Sequence, residues 1–273
     1  MRVGVIQTAA GTQVQEVVGD AVRKISSERC DLWVLPELFH TSLEFTSRER
    51  LIESCEEIPG GPVTQELINV ASKSGTFIIA GIAEKDEEVL YNSAVLVGPT
   101  GVLAKYRKLH LFYREKAWFT PGNLPLPVVD IGLARIGMMI CFDHFFPETA
   151  RTLAFRGADV IAHPAGLFVA DVGQRTMQVR ARENGVYAIT PTRVGREHAE
   201  GGSYRHFVGC SQIVSPTGAV IFKASAEREE VGFAEIDPAL ARDKSIGLTD
   251  ENHEASIDRF RDRQTLFYEA DPL

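Results

Sequence analysis

The chain has 273 residues, of which 44% are hydrophobic and 24% are charged, so it can bury the core of one large domain or of two small ones. Its net charge of −8 argues against a nucleic-acid or anionic-membrane binder, because neutralising phosphates requires a basic surface. The sequence has no apolar run long enough to span a bilayer, and its first residues turn polar too soon for a signal peptide.

Strand-like and helix-like segments alternate along the chain with no low-complexity linker, which predicts a single α/β domain over residues 1–273. The predicted strands are Val3–Gln7, Leu32–Leu35, Phe77–Ile82, Tyr91–Val97, Val128–Ile131, Arg135–Ile140, Val160–Ala162, Val186–Thr190, Gly209–Val214, Ala219–Phe222 and Gly232–Ile236. The predicted helices are Thr12–Ser27, Arg48–Ser54, Pro62–Ser74, Pro147–Arg156, Gln174–Asn184 and Pro238–Asp243. The later half is richer in strands, and a Ser-Pro-Thr-Gly sequence at 215–218 predicts a hairpin turn there.

Two charged residues are candidates for the site: Glu37 stands where a sheet of this kind opens its ligand crevice, past the carboxyl end of a strand, and Lys108 lies in a stretch typical of a half-solvated strand. The predicted strand Leu32–Leu35 is followed by proline and then Glu37. Lys108 lies in a stretch, residues 105–112, where basic and apolar residues alternate. Each signal is weak alone, because acidic residues are common in first helical turns and most lysines on half-buried strands are solvated.

The four cysteines form no CxxC pair and are too few for a disulfide scaffold, which favours a reducing, cytoplasmic setting. Cys30, Cys55 and Cys210 are predicted to be packing residues. Cys141 differs, because an apolar, β-prone run over residues 135–140 leads into it and a Pro-Glu pair that can open a helix follows. This pattern predicts a thiol on a strand-to-helix turn, near helix N–H groups that favour its thiolate; a buried core cysteine is the alternative.

Together these segments resemble the three signature blocks of the nitrilase, or carbon–nitrogen hydrolase, superfamily, in that family's order of glutamate, lysine and cysteine. A looser match, Tyr113-Arg114-Glu115-Lys116, resembles the loop that carries the family's second glutamate. The resemblance covers nearly the whole chain and implies a four-layer αββα sandwich. The three blocks are Pro36-Glu37, Arg107-Lys108-Leu109-His110-Leu111 and Ile140-Cys141-Phe142-Asp143.

The resemblance implies a role for each of these groups. Cys141 would be the nucleophile that forms a thioester, and Glu37 would take the thiol proton and return it to the departing nitrogen. Lys108 and the backbone N–H that follows the cysteine would stabilise the oxyanion. Glu115 would orient Lys108 and position the substrate nitrogen or the hydrolytic water.

Two other interpretations stay open at this point. A Cys–His enzyme would use His144 or His163 as its base, although that leaves the glutamates and the lysine without roles. A binding module that has lost catalysis is the non-enzymatic alternative. The sequence has no metal-ligand spacing, P-loop or GxGxxG motif, so we expect no metal and no cofactor.

The residues around the cysteine bear on the substrate. True nitrilases typically have Cys-Trp-Glu at the nucleophile, whereas the Cys-Phe-Asp of this chain resembles the amidase-like branches. Amidases acting on ω-amides often place an arginine two or three residues after the cysteine, where it grips a carboxylate; this chain has Asp143, His144 and Phe145 at the following positions. We therefore expect a small, uncharged aliphatic amide as substrate.

Other substrates remain as alternatives: an aliphatic nitrile, an N-carbamoyl amine or an ω-amide. For an ω-amide, Arg175 or Arg193 would have to grip the carboxylate. The substrate pocket is expected to include Phe142, His144, Phe145 and Trp118. The segment from 258 to 273 carries hydrophobic residues among charges, and the resemblance implies a homodimer or higher homo-oligomer in which this tail contacts the partner.

Overall fold

The computed structural model describes residues 1–11, 13–198, 204–246 and 257–268. Two large β-sheets pack face to face, and a layer of helices covers the outer face of each. This is the four-layer αββα sandwich that the resemblance implies. In the part of the chain just given, none of the helices is both long and apolar enough to cross a membrane.

The element boundaries follow the predicted pattern closely. The strands are β1 (Arg2–Ala9), β2 (Leu32–Val34), β3 (Phe77–Asp86), β4 (Val89–Gly98), β5 (Gly101–Arg107), β6 (Val128–Asp130), β7 (Arg135–Met138), β8 (Val160–Ala162), β9 (Tyr187–Thr190), β10 (Arg193–His198), β11 (Tyr204–Val208), β12 (Gln212–Val214), β13 (Val220–Lys223), β14 (Glu230–Glu235), β15 (Ser245–Ile246) and β16 (Ile257–Asp258). The α-helices are α1 (Val14–Ser27), α2 (Arg48–Ser54), α3 (Pro62–Ser74), α4 (Glu115–Trp118), α5 (Pro147–Phe155), α6 (Val172–Asn184) and α7 (Ala239–Arg242). Short 3₁₀ helices span Cys141–Phe145 and Thr265–Phe267.

The first sheet has the strand order β11-β10-β1-β2-β3-β4-β5, with β14 also paired to β1. Its central strands β10, β1, β2 and β3 run parallel, whereas β4 and β5 are antiparallel additions. Side chains alternate between its faces, as period-2 geometry requires: Leu32 and Val34 of β2 face the core shared by the two sheets, and Trp33 faces the helix layer of α1 and α3.

The second sheet has the order β13-β12-β9-β8-β7-β6, with β7, β8 and β9 parallel at its centre. Helices α5 and α6 pack against it. The predicted hairpin turn joins β12 to β13: the N–H of Ser215 donates to the carbonyl of Ala219 at 2.8 Å, and Gly218 has φ +85°, a value that glycine adopts without steric cost.

Five of the described strands, β5, β10, β11 and the two-residue strands β15 and β16, were not predicted. In β10, Arg193 and Glu197 are buried and pair with each other at 2.9 Å, so the strand lacks the apolar alternation by which strands are recognised. The predicted strand Gly209–Val214 begins later than expected. Gly209 and Cys210 both have left-handed backbone conformations, which interrupt a strand, and Cys210 is half-buried there.

Candidate active site

Glu37 lies on an irregular segment just past the end of β2, and its side chain is fully buried. Strand β3 holds this segment from one side: the N–H of Gly81 donates to the carbonyl of Pro36 at 3.1 Å, and the N–H of Phe39 donates to the carbonyl of Gly81 at 3.0 Å. A Cβ atom on Gly81 would lie 2.5 Å from the Cα of Glu37. Glycine is therefore required here for the glutamate backbone to approach the strand.

Lys108 follows β5 directly, and its buried ammonium lies between two carboxylates. Its Nζ donates to Oε1 of Glu37 at 2.7 Å and to both carboxylate oxygens of Glu115 at 2.8 Å. Asn92, a residue of β4, donates its side-chain amide to the same Oε1 of Glu37 at 2.8 Å. The backbone carbonyl of Asn92 also accepts the backbone N–H of Lys108 at 2.8 Å. Sequence reasoning missed Asn92, because a single asparagine within an apolar strand carries no motif.

Cys141 begins the 3₁₀ helix between β7 and α5, so the thiol stands on a strand-to-helix turn as predicted. The residue has φ +39°, an uncommon conformation for a side chain other than glycine. Its N–H donates to the carbonyl of Pro164 at 2.9 Å. Its own carbonyl accepts from Nδ1 of His144 at 2.6 Å and from Nε2 of His163 at 2.8 Å.

These two histidines were the candidate bases of the Cys–His alternative. Each uses a ring nitrogen to bind the main chain of Cys141. Burial lowers the pKa of both His144 and His163. The arrangement gives them a task in fixing the strained backbone of the cysteine, and it does not support the Cys–His mechanism.

A cavity of about 200 Å³ opens above Cys141. Phe142, His144 and Phe145, which we expected at the substrate, line it, but Trp118 does not. Trp118 lines a smaller neighbouring cavity that also contains Glu115, and it packs against the ring of Phe45 at 6.4 Å between centroids. The full lining comprises Phe112, Cys141, Phe142, His144, Phe145, Gly166, Leu167, Phe168, Val169, Val172 and Gly173.

Asp143 ties the segment that carries the cysteine to the segment that carries the lysine. Its buried carboxylate accepts the hydroxyl of Tyr106 at 2.7 Å and the N–H of Ile140 at 2.9 Å. The backbone N–H and the ring Nδ1 of His110 complete the set at 3.2 and 2.8 Å. Tyr106 and His110 flank Lys108 in the sequence, so one carboxylate fixes the position of β5 and its extension relative to the 3₁₀ helix.

A buried glutamate–lysine pair beside a cysteine at the end of a strand is the arrangement that the family resemblance implies. The family model for carbon–nitrogen hydrolases matches residues 2–244. The chain is a carbon–nitrogen hydrolase of the nitrilase superfamily. It is therefore an enzyme, and the non-enzymatic alternative is set aside.

Individual relatives of this hydrolase differ in their named activities. It is 50% identical over 247 residues to a nitrilase of Pyrococcus abyssi, covering 90% of this chain and 89% of the relative. It is 30% identical over 266 residues to the N-carbamoylputrescine amidase of Solanum lycopersicum, covering 90% and 89% of the two chains. Among solved structures, a carbon–nitrogen hydrolase from Helicobacter pylori G27 superposes with a TM-score of 0.80 at 26% identity, over 89% of this chain and 91% of that one.

The charges around the thiol determine its resting state in this hydrolase. Burial raises the pKa of Cys141 well above its usual range, Glu37 raises it further, and Lys108 opposes both effects. Burial alone would lower the pKa of Lys108, but the carboxylates of Glu115 and Glu37 raise it above its ordinary value. The site therefore holds a protonated thiol next to a permanently charged ammonium, and the thiol needs a base to become nucleophilic.

Neither of the arginines considered for gripping a carboxylate lines the cavity. Arg175 lies on the exposed side of α6 and pairs with Asp171 at 3.0 Å. Arg193 is buried, and it donates to the backbone carbonyl of Glu37 at 2.8 Å. The first arginine is too exposed and the second is already engaged, so neither is placed to bind substrate.

We predict that acid destabilises the fold through two buried neutral histidines. Burial lowers the pKa of His40 and of His163 to about 3, and Nε2 of His40 accepts the N–H of Ala83 at 3.1 Å. In the unfolded chain, each histidine takes up its proton near the ordinary pKa of about 6.5. Their contribution to stability is therefore complete above a pH of about 6.5, and it is lost as the pH falls from there toward 3, by about 1.4 kcal/mol per pH unit for each histidine.

Urea unfolding at a series of pH values checks this expectation. His40→Gln provides the matched control, because its amide oxygen can accept the same N–H but does not titrate. The variant should lose stability less steeply with acid than the wild type. Identical slopes for the two proteins would contradict the assignment.

Proposed function

We propose that this hydrolase converts small, uncharged aliphatic amides to a carboxylic acid and ammonia. The observation that carries the proposal is the apolar lining of the cavity above Cys141. Among the described residues, the lining is aromatic or aliphatic apart from Cys141, His144 and two glycines, and it includes no lysine, arginine, aspartate or glutamate. A charged group on the substrate would be buried there without a partner, at a cost of several kcal/mol.

The buried glutamate supports a role as the base. Oε1 of Glu37 accepts from Lys108 and Asn92, while Oε2 has no hydrogen-bond partner among the described residues. A buried carboxylate oxygen without a partner is costly, and here it is available to take the thiol proton. The unpaired oxygen next to an uncharged thiol suggests that the proton moves only when the substrate carbonyl is in place.

The acylation step then follows. Sγ of Cys141 attacks the amide carbon, and the oxygen that becomes negative is stabilised by Nζ of Lys108 and the N–H of Phe142. The second residue of a helix has no acceptor for its N–H within that helix, which suits Phe142 to this role. Glu37 returns the proton to the nitrogen and the C–N bond breaks. Ammonia departs, and the acyl group remains as a thioester on Cys141.

Water completes the reaction. One water molecule adds to the thioester carbon while a carboxylate accepts its proton. Glu115, which is held by Lys108 and by the N–H of Phe112 at 2.9 Å, positions this water. The C–S bond breaks, the sulfur regains a proton, and the carboxylic acid is released. The net change is one amide and one water to one acid and one ammonia.

A nitrile is the second candidate substrate, favoured by the 50% identity to the Pyrococcus abyssi nitrilase. The thiol of Cys141 would add to the C≡N carbon to give a thioimidate. One water would add to it, ammonia would leave, and the same thioester would form; a second water would then release the acid. Both routes use the same residues and the same apolar cavity, so they differ in the substrate and not in the site.

We predict that kcat/KM is higher for an aliphatic amide than for the nitrile of the same chain length. The measurement is ammonia release on matched pairs of two to five carbons, with an N-carbamoyl amine and an ω-amide bearing a carboxylate included in the panel. Consistently higher values for the nitriles would overturn the amidase assignment in favour of the second candidate. A preference for the carboxylate-bearing ω-amide would contradict the inference drawn from the uncharged cavity.

We also propose that residues 1–273 form one domain. We further propose that the protein is a homodimer or higher homo-oligomer in which the C-terminal tail contacts the partner subunit. Within the part of the tail that the structure describes, Leu266 and Phe267 are 90% and 80% exposed, which favours a covering partner. A cytoplasmic location fits the four unpaired cysteines, since a thiol nucleophile must stay reduced. Sedimentation at several protein concentrations, with and without the tail, tests the subunit contact.

A further inference from the structure

The segment that presents Glu37 is irregular and buried, so its main-chain polar groups need partners that regular structure does not supply. Leu38, the next residue, has φ +45°, a conformation that a branched side chain rarely adopts. Strand β3 binds one side of the segment through Gly81. The partners on the other side are two side chains of β10, and the reaction scheme given above makes no use of them.

Arg193, whose side chain is buried at 2% exposure, makes most of these contacts. One Nη donates to the carbonyl of Thr41 at 2.7 Å, and the other donates to the carbonyls of Glu37, at 2.8 Å, and Leu38. Three carbonyls of one short segment thus bind a single guanidinium, and for those of Glu37 and Thr41 the structure gives no other donor among the described residues. An arginine suits this task because its donors form a rigid planar fork; the three donors of a lysine leave from one nitrogen and would not span the same acceptors.

Glu197 completes the arrangement from the same strand. Its Oε1 accepts from Arg193 at 2.9 Å, which compensates the buried positive charge. Its Oε2 accepts the N–H of Leu43 at 2.9 Å and the hydroxyl of Ser42 at 3.0 Å. The ion pair therefore binds the segment at both ends, from Glu37 to Leu43.

We propose that Arg193 is a positioning residue for Glu37: the Arg193–Glu197 pair holds the strained segment so that the free oxygen of the glutamate meets the thiol. The inference rests on the proposed function, in which Glu37 deprotonates Cys141. Without Arg193, the carbonyls of Glu37 and Thr41 lose their donor and that of Leu38 keeps only the N–H of Thr41, so the segment gains stability by turning these groups toward water. A displacement of about 1 Å in a catalytic group costs up to about a hundredfold in rate.

The test is Arg193→Ala with chemical rescue. We expect kcat to fall between about tenfold and about a hundredfold while KM changes little, and millimolar guanidinium chloride to restore part of kcat where equal sodium chloride does not. A cavity of about 150 Å³ borders Arg193 and gives guanidinium a path to the site. Arg196→Ala, an exposed residue of the same strand, is the matched control and should behave as wild type.

Other outcomes remain informative. A folded Arg193→Ala enzyme with wild-type kcat, or with a loss that guanidinium does not reverse, would overturn the proposal. If this variant does not fold, Glu197→Gln tests the same segment while keeping Arg193, and an unchanged kcat there would overturn it equally.

A second readout separates this inference from the proposed function. The rate at which iodoacetamide alkylates Cys141 requires no substrate, and Arg193→Ala should slow it as Glu37→Gln does. If the wild type hydrolyses no member of the substrate panel but this slowing is seen, the proposed function fails and the positioning role stands. Unchanged alkylation in a folded Arg193→Ala protein would refute the positioning role.

Discussion

Replacing Cys141 by alanine abolishes turnover, with a loss in kcat of at least about a thousandfold, because no thioester can form without the sulfur. The fold should survive, since the main-chain contacts of this residue to Pro164, His144 and His163 do not involve its side chain. Ammonia release on the best substrate of the panel, together with thermal unfolding, measures both expectations.

The other three cysteines are the controls for this result. Alanine at Cys30, Cys55 or Cys210 should leave kcat near the wild-type value, because none of them lines the cavity. Burial raises the pKa of Cys30 and of Cys55 to about 12, and neither has Glu37 as a base as Cys141 does, so both should react slowly with iodoacetamide. Turnover in Cys141→Ala above the level of contaminants would sink the mechanism, and equally slow alkylation of all four cysteines would argue against an activated thiol.

The second large effect concerns the charges beside the thiol. Glu37→Gln and Lys108→Ala should each lower kcat by at least about a hundredfold. The amide of the first variant cannot accept the thiol proton, and the second leaves the oxyanion without its cation. Lys108→Ala should also lower stability by about 3 kcal/mol or more, because it leaves the carboxylates of Glu37 and Glu115 buried without their cation.

His144→Ala distinguishes this mechanism from the Cys–His alternative. Its ring binds the carbonyl of Cys141, so we expect a moderate loss that reflects a looser cysteine backbone. A near-normal rate in Glu37→Gln together with an inactive His144→Ala would show that the imidazole is the base after all. Steady-state kinetics of the two variants, measured side by side on one amide, gives the answer.

The sequence supported the main features of the fold because most elements carry their own pattern. Helix α3 starts with a proline and ends before a glycine with φ +66°, and these signals predicted its bounds without error. Strand β10 escaped prediction because its inward positions are charged, and their partners, Thr41 and Ser42, lie more than 150 positions away in the chain. No local window contains the information that makes a buried arginine favourable.

The candidate catalytic residues of the site were predictable from the sequence, whereas much of the cavity wall was not. The Glu37, Lys108 and Cys141 blocks were recognisable in order, and the structure brings the first two into direct contact at 2.7 Å. The cavity walls were harder: Leu167 and Val169 belong to a loop with no motif, and only the fold places it above the thiol. Trp118 was expected at the substrate because it is aromatic, but it lines the neighbouring cavity, and the sequence does not fix the side to which an indole turns.

Glu37 and Lys108 extend from ends of strands in the first sheet, whereas Cys141 extends from the second. The separation of base and nucleophile is therefore a layer spacing, set by the thickness of the side chains between the sheets. Ile79 and Leu96 belong to that filling and do not line the cavity above Cys141. Trimming or enlarging these two side chains should change the distance between Glu37 and Cys141. The interior of this protein therefore acts as a spacer between base and nucleophile, and changes in its side chains can tune catalysis.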